Sequence, residues 1–84
     1  MNKVTIYTTQ FCPYCVRAKQ LLEQKSVKYD ELKVDGDANL RQTMAAKCKS
    51  RSVPQIWIGD MHVGGCDELF ALERAKKLDE LLNR

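Results

Sequence analysis

A pair of cysteines constrains this chain more than any other feature. Cys12 and Cys15 lie where a short apolar stretch of β type gives way to an amphipathic helical stretch. Two thiols at this spacing can close to a disulfide and reopen, and at a strand-to-helix junction they indicate a redox motif. Pro13 suits the first helical turn, because its fixed φ fits there and its missing N–H would have no intrahelical partner.

The two sulfurs are expected to differ in reactivity. Cys12 would begin the helix, where unpaired backbone N–H groups and the positive end of the helix dipole favour a thiolate, the reactive form. Cys15 follows about one turn later, so its side chain returns toward Cys12. We therefore expect Cys12 to be an exposed nucleophile and Cys15 a more buried, resolving thiol.

A structural zinc site is the main alternative for these cysteines. Such a site needs four ligands, which commonly come as two closely spaced pairs. The remaining cysteines, Cys48 and Cys66, are isolated in the sequence. The pattern therefore favours redox chemistry, and we expect no metal ligands.

Length and charge narrow the class of protein. We expect 84 residues to form one domain, 1–84, and 44% hydrophobic with 30% charged residues suits a folded domain. The net charge of +3 is dispersed, so we expect no nucleic-acid partner. The N-terminal residues carry no apolar signal region, and no stretch approaches the roughly 20 apolar residues of a membrane span. We expect no membrane partner and a cytoplasmic location, where cysteines are usually catalytic or metal-binding.

Apolar periodicity predicts a β-α-β-α-β-β-α order and a four-stranded mixed sheet flanked by helices, an α/β fold. The expected strands are 3–8, 28–34, 55–59 and 61–63, and the expected helices are 13–25, 38–47 and 66–83. A right-handed crossover should make the first two strands parallel. Val16, Ala18, Leu21 and Leu22 should line the buried face of the first helix. A break at Lys76-Lys77 in the last helix stays open.

A second set of residues has the character of a binding site. Gly64 and Gly65 precede a predicted helix, where glycine lets a backbone approach a ligand and the helix start offers N–H groups to an anion. Asp67 would cap this helix or hold an ammonium group, and a plain turn with an N-cap is an equal alternative. Pro54 should begin a strand, and local physics alone favours a trans bond before it.

Three motifs in order give the chain a close resemblance to the glutaredoxins, in particular to bacterial dithiol glutaredoxins of the C-P-Y-C type. They are IYT…CPYC at 6–15, VPQIWI at 53–58 and GGCDEL at 64–69, and the resemblance covers essentially the full length. It implies the thioredoxin fold with a cis bond before Pro54. The chain departs from the family pattern at Thr9, where many members have lysine, and at Ser52, where threonine is usual.

The resemblance also implies a glutathione groove. The residues it would assign to this groove are Tyr14, Arg41, Val53, Pro54, Gly65, Cys66 and Asp67. By analogy, the Val53 backbone pairs with the cysteinyl part of glutathione, the Cys66 N–H meets the γ-glutamyl carboxylate, and Asp67 takes the γ-glutamyl amino group. Arg41 would lie near the glycyl carboxylate, or would simply be a solvated helix residue.

The function implied is that of an enzyme, a glutathione-dependent thiol–disulfide oxidoreductase that cycles between a Cys12/Cys15 dithiol and disulfide. Glutathione would be a co-substrate regenerated by glutathione reductase, with no tightly bound cofactor. The expected partners are glutathionylated or disulfide-containing proteins, with ribonucleotide reductase as a family expectation, and the expected state is a monomer. The rivals are an iron–sulfur carrier, an electron donor reduced by thioredoxin reductase, and a metal-binding module.

Overall fold

A computed structural model describes residues 2–83, which form four strands and four helices. The elements are β1 (Val4–Thr8), α1 (Pro13–Gln24), β2 (Tyr29–Lys33), α2 (Ala38–Cys48), β3 (Gln55–Ile58), β4 (Met61–Gly64), α3 (Cys66–Arg74) and α4 (Leu78–Leu82). The predicted strands and the first two predicted helices are present, and their ends agree with the prediction or differ by one residue. Within residues 2–83, none of the helices has the length and apolar character needed to cross a membrane.

The strands form one mixed sheet in the order β2-β1-β3-β4. β1 and β2 are parallel neighbours, whereas β3 is antiparallel to both β1 and β4. The expected mixed sheet and the parallel pairing of the first two strands are therefore confirmed. The β1–α1–β2 crossover places the start of α1, and with it Cys12 and Cys15, beyond the carboxyl end of β1.

Successive residues of β1 point to opposite faces of the sheet, and each face is covered by helices. Ile6 contributes to a core on the face covered by α1, α3 and α4, together with Leu22 and Leu69. Tyr7 contributes to a smaller core under α2, which also contains Val34, Met44 and Trp57. The sheet is therefore the middle of three layers, buried on both sides.

The helical segment expected over 66–83 is divided, because the chain breaks between α3 and α4. Lys76 adopts a left-handed φ of 60°. Its N–H donates to the carbonyl of Glu73, and the Lys77 N–H donates to the carbonyl of Leu72. This pair of bonds is the Schellman pattern that ends a helix. The question left open at Lys76-Lys77 is thereby settled in favour of two short helices.

One residue assigned to the buried face of α1 is misplaced. Val16 is 43% exposed, whereas Ala18, Leu21 and Leu22 are buried. Residues two apart on a helix lie on nearly opposite sides, so Val16 and Ala18 cannot share a face. The residue that completes the buried face is Cys15. The redox motif therefore contributes one of its own sulfurs to the edge of the core.

Candidate active site

Cys12 caps the N-terminus of α1. Its backbone is extended (φ −125°, ψ 105°), Pro13 takes the first helical position, and the Cys12 Sγ accepts a hydrogen bond of 3.2 Å from the Cys15 N–H. This bond satisfies one of the free donors of the first turn. The same N–H, together with the helix dipole, stabilises negative charge on the Cys12 sulfur. Cys12 therefore lies at the start of the helix, as the sequence predicts for the nucleophile.

The two thiols differ in burial. Cys15 is 1% exposed, whereas Cys12 is half-buried, less open than expected. Burial raises the pKa of the Cys15 thiol to about 12, and its hydrogen bond with Cys12 acts in the same direction. A group with such a pKa is protonated at neutral pH and is a poor nucleophile until that proton is removed. Cys15 therefore has the character of a resolving thiol.

All four cysteines are free thiols. In the described part of the chain, no three side chains of the His, Cys, Asp and Glu types come together in a group suited to a metal ion. Cys66 is 5% exposed, and burial raises the pKa of its thiol. Cys48 donates to the carbonyl of Ser50 at 3.3 Å.

Exposed apolar side chains surround the approach to Cys12. Phe11 is 90% exposed and Tyr14 is 55% exposed. Phe11 therefore does not pack beneath its loop. The Arg17 guanidinium, on α1, lies 5.3 Å from the centre of the Phe70 ring, on α3. A polypeptide substrate that binds at Cys12 would therefore cover the exposed rings of Phe11 and Tyr14.

A groove runs from Tyr14 toward the N-terminus of α3. Its lining residues are Tyr14, Ser52, Val53, Pro54, Gln55, Gly65, Cys66, Asp67 and Glu68. The Val53–Pro54 bond is cis, as the resemblance implied. The Cys12 Sγ lies 3.9 Å from the Val53 carbonyl oxygen. The groove therefore opens directly beside the sulfur of Cys12.

The N-terminus of α3 closes the other end of the groove. Gly65 is the N-cap residue, and its N–H donates to the Glu68 carboxylate at 2.7 Å, which forms half of a capping box. The capping carboxylate is thus that of Glu68 and not that of Asp67. Asp67 is exposed in the first turn and lines the groove.

Six of the seven predicted groove residues line this groove, and Arg41 does not. The Arg41 Nη2 instead donates to the carbonyl of Arg51 at 3.3 Å. Three lining residues were not identified from the sequence, namely Ser52, Gln55 and Glu68. For Glu68 a signal exists, because a glutamate three residues after an N-cap is typical of a capping box. Ser52 and Gln55 carry no comparable local signal.

Gly64 provides a test of how the α3 end of the groove is held. Gly64 has φ +114°, and an added Cβ would lie 2.9 Å from the Glu68 side chain, whereas Gly36 has φ +77° and open space around it. Both Gly→Ala variants should lose about 1–2 kcal/mol of unfolding free energy through the left-handed φ. Only Gly64→Ala should also displace Glu68 and slow reaction at the groove severalfold. Denaturant unfolding and reaction with a glutathionylated peptide check this; equal rates for the two variants would contradict it.

A dithiol at the start of a helix, beside a cis-proline loop and on a mixed sheet, defines a thiol–disulfide oxidoreductase. The glutaredoxin family model matches residues 4–63. A Pseudomonas aeruginosa protein named glutaredoxin is 60% identical over 83 residues, which are 99% of each chain. Glutaredoxin 3 of Escherichia coli is 49% identical over 82 residues, 98% of this chain and 99% of that protein. A buckwheat glutaredoxin–glutathione complex superposes with a TM-score of 0.89 at 28% identity, over 98% of this chain and 77% of that one.

The chain belongs to the glutaredoxin family. Its architecture is the thioredoxin fold, which confirms the fold class implied by the resemblance. The expected activity is likewise confirmed at the level of the family: the protein is an enzyme, a glutathione-dependent thiol–disulfide oxidoreductase.

Proposed function

We propose that the glutathionyl part of a mixed disulfide binds in the groove and that Cys12 attacks its sulfur. The observation that carries this proposal is the 3.9 Å separation between the Cys12 Sγ and the Val53 carbonyl. A glutathionyl sulfur bonded to Cys12 would lie beside the Val53 backbone, whose N–H and carbonyl would pair with the cysteinyl residue as a neighbouring strand would. The buckwheat glutaredoxin, a relative of the same fold, forms a complex with glutathione.

The γ-glutamyl residue carries an α-carboxylate and an α-ammonium group, and the start of α3 offers a partner of opposite charge to each. The helix N-terminus offers backbone N–H groups, among them that of Cys66, to the α-carboxylate. The Asp67 carboxylate, exposed beside them, suits the α-ammonium. Gly65 has no side chain, so a ligand can approach the backbone closely there. The space is narrow, because an added Cβ would lie 3.3 Å from the Pro54 carbonyl oxygen.

Arg41 and Tyr14 complete the proposed groove. Tyr14 lines it and is 55% exposed, so its ring can cover a bound ligand. Arg41 donates from one Nη to Arg51, and its guanidinium has further donors for the glycyl carboxylate. The role of Arg41 in the proposal is therefore at the glycyl end, outside the groove lining.

The reaction is two successive thiol–disulfide exchanges. The Cys12 thiolate attacks the glutathionyl sulfur, the S–S bond of the substrate breaks, and the target thiolate leaves and takes a proton. A second glutathione thiolate then attacks the bound glutathionyl sulfur, which releases glutathione disulfide and the Cys12 thiolate. Alternatively, Cys15 loses its proton and attacks the Cys12 Sγ, which expels glutathione thiolate and leaves a Cys12–Cys15 disulfide for two glutathiones to reduce.

The setting of this reaction follows from its chemistry. Glutaredoxin potentials of about −200 to −230 mV lie near that of the glutathione pool, so a cytoplasmic pool kept reduced by glutathione reductase would drive the cycle. We place residues 1–84 in one catalytic domain that acts as a monomer, with glutathione as a co-substrate rather than a bound cofactor. Its targets are glutathionylated or disulfide-containing proteins, a class that includes ribonucleotide reductase.

A comparison of two mixed disulfides tests the groove. One peptide thiol is blocked with glutathione and, in a parallel sample, with cysteamine, and the rate of peptide release by the reduced protein is measured in a single turnover. We expect the wild-type chain to prefer the glutathionyl peptide by at least about tenfold, and Asp67→Asn to reduce that preference by about three- to tenfold, the scale of one ordinary hydrogen bond. Asp60→Asn, in the exposed β3–β4 turn, should keep it. Equal wild-type rates on the two peptides would refute the proposal that the groove binds the glutathionyl group.

A further inference from the structure

The loop that carries Val53 is held by side chains rather than by regular secondary structure. From residue 50 to residue 53, four successive carbonyl oxygens each accept a hydrogen bond from a side chain. The pairs are Cys48 Sγ to Ser50 at 3.3 Å, Arg41 Nη2 to Arg51 at 3.3 Å, Gln55 Nε2 to Ser52 at 3.0 Å and Cys12 Sγ to Val53 at 3.9 Å. The direction of the Val53 backbone therefore depends on donors from other elements.

Gln55 is the most deeply buried of these donors that has no part in the chemistry. It is 6% exposed, one of two buried polar residues in the described chain. Its Nε2 donates to the Ser52 carbonyl at 3.0 Å and lies 3.3 Å from the Ser52 hydroxyl. Burial of an amide is unfavourable unless its donors and acceptor are paired, so this residue is stable here only because the loop supplies an acceptor.

His62 completes the pairing of the Gln55 amide. The His62 Nε2 lies 2.7 Å from the Gln55 Oε1, across the antiparallel β3–β4 pair. Because the Gln55 nitrogen already faces the Ser52 carbonyl, its oxygen faces His62, which then donates from Nε2. The His62 ring is itself held against Trp57, with ring centres 4.6 Å apart and an interplanar angle of 33°.

From this chain of contacts we infer that Gln55, oriented by His62, is a positioning residue for the glutathione groove. It fixes the Ser52 carbonyl and thereby the direction in which the next residue, Val53, presents its backbone to the ligand. Gln55 acts through the loop and does not touch the reacting sulfurs. The inference rests on the proposed function, because it concerns how the same groove recognises glutathione.

The test measures the preference for glutathionyl over cysteamine peptide, since a general loss of stability slows both reactions alike. Gln55→Met keeps an unbranched side chain but loses every hydrogen bond, and should reduce the preference by about three- to tenfold. Gln55→Glu keeps the shape and the acceptor for His62 but cannot donate to Ser52, so it should act in the same direction. His62→Phe keeps the ring against Trp57 and should reduce the preference by a smaller factor.

A double variant and a remote control make the result decisive. Once Gln55 is methionine, His62→Phe should have no further effect on the preference, because His62 acts through the amide. Tyr29→Phe removes a hydrogen bond of 2.6 Å to Glu23, far from the groove, and should leave the preference unchanged. The rate of Cys12 alkylation by iodoacetamide, which needs no groove, should stay within about twofold in all variants.

The outcomes separate this inference from the proposed function. If the wild-type chain prefers the glutathionyl peptide and both Gln55 variants retain that preference, the positioning role is refuted while the groove stands. If Tyr29→Phe lowers the preference as much as Gln55→Met, the effect is one of stability and the role is again refuted. If the wild-type chain shows no preference at all, the groove assignment fails and the positioning role fails with it.

Discussion

Replacing Cys12 by serine is expected to reduce glutathione-dependent disulfide reduction by at least about a thousandfold, the scale seen when a catalytic nucleophile is removed. A serine hydroxyl at this position would keep the hydrogen bond from the Cys15 N–H but would provide no thiolate to attack a disulfide. Cys15 cannot take over, because it is 1% exposed and its pKa is raised to about 12 by burial. The measurement is steady-state reduction of a small glutathione mixed disulfide, coupled to glutathione reductase.

Cys15→Ser is the matched variant, since it exchanges the same atom three residues away. Its backbone N–H still donates to the Cys12 sulfur, and glutathione itself can resolve the mixed disulfide, so activity should stay within about threefold of wild type. Mass spectrometry of this variant with glutathione disulfide should show one glutathione on the protein. A Cys12→Ser variant that keeps its activity would contradict the role of Cys12 as the nucleophile, and a Cys15→Ser variant that loses its activity would contradict resolution by glutathione.

Local signals were sufficient to predict the position of this dithiol. Pro13 at the first helical position and the apolar spacing after it mark the start of α1, and both act within one or two turns of the chain. The GG-Cys-Asp sequence likewise marks the start of α3. Such signals are reliable because the free N–H groups of a first turn need partners that lie nearby in the sequence.

Helix ends were predicted less well, for an identifiable reason. A helix commonly ends in a left-handed residue, and glycine is the residue that marks one in a sequence. Here the left-handed residues after α1, α2 and α3 are Ser26, Lys49 and Lys76, with φ values of 58°, 59° and 60°. None of them carries the glycine signal. After the break, α4 is anchored by Leu78 and Leu82, which lie in the core.

The role of Gln55 could not be read from the sequence at all. It depends on a β4 residue, His62, that contacts Gln55 on β3, and on the Ser52 carbonyl, which accepts a hydrogen bond from the Gln55 amide. The His62 contact is set by the register of the sheet, which no short motif encodes. For Arg41, the position on α2 was predicted from the sequence, but the hydrogen bond to the Arg51 carbonyl was not.

The largest effect on stability should come from Leu22→Ala. Leu22 is fully buried on α1, in the core that joins this helix to the sheet and to α3. Truncation of a buried leucine leaves a cavity and typically costs about 2–5 kcal/mol. A domain of this size has an unfolding free energy of only about 5–15 kcal/mol, so the variant should unfold at a much lower urea concentration.

Val16→Ala on the same helix is the control, and it tests which face of α1 is buried. Val16 is 43% exposed, and an exposed substitution usually changes the unfolding free energy by no more than about 0.5 kcal/mol. Alanine also has the higher helix propensity, so a small gain would not be surprising. Comparable losses in the two variants would mean that α1 is rotated about its axis. Such a rotation would carry Cys15 out of the core and remove the burial that raises its pKa, so the inequality of the two thiols depends on this orientation of the helix.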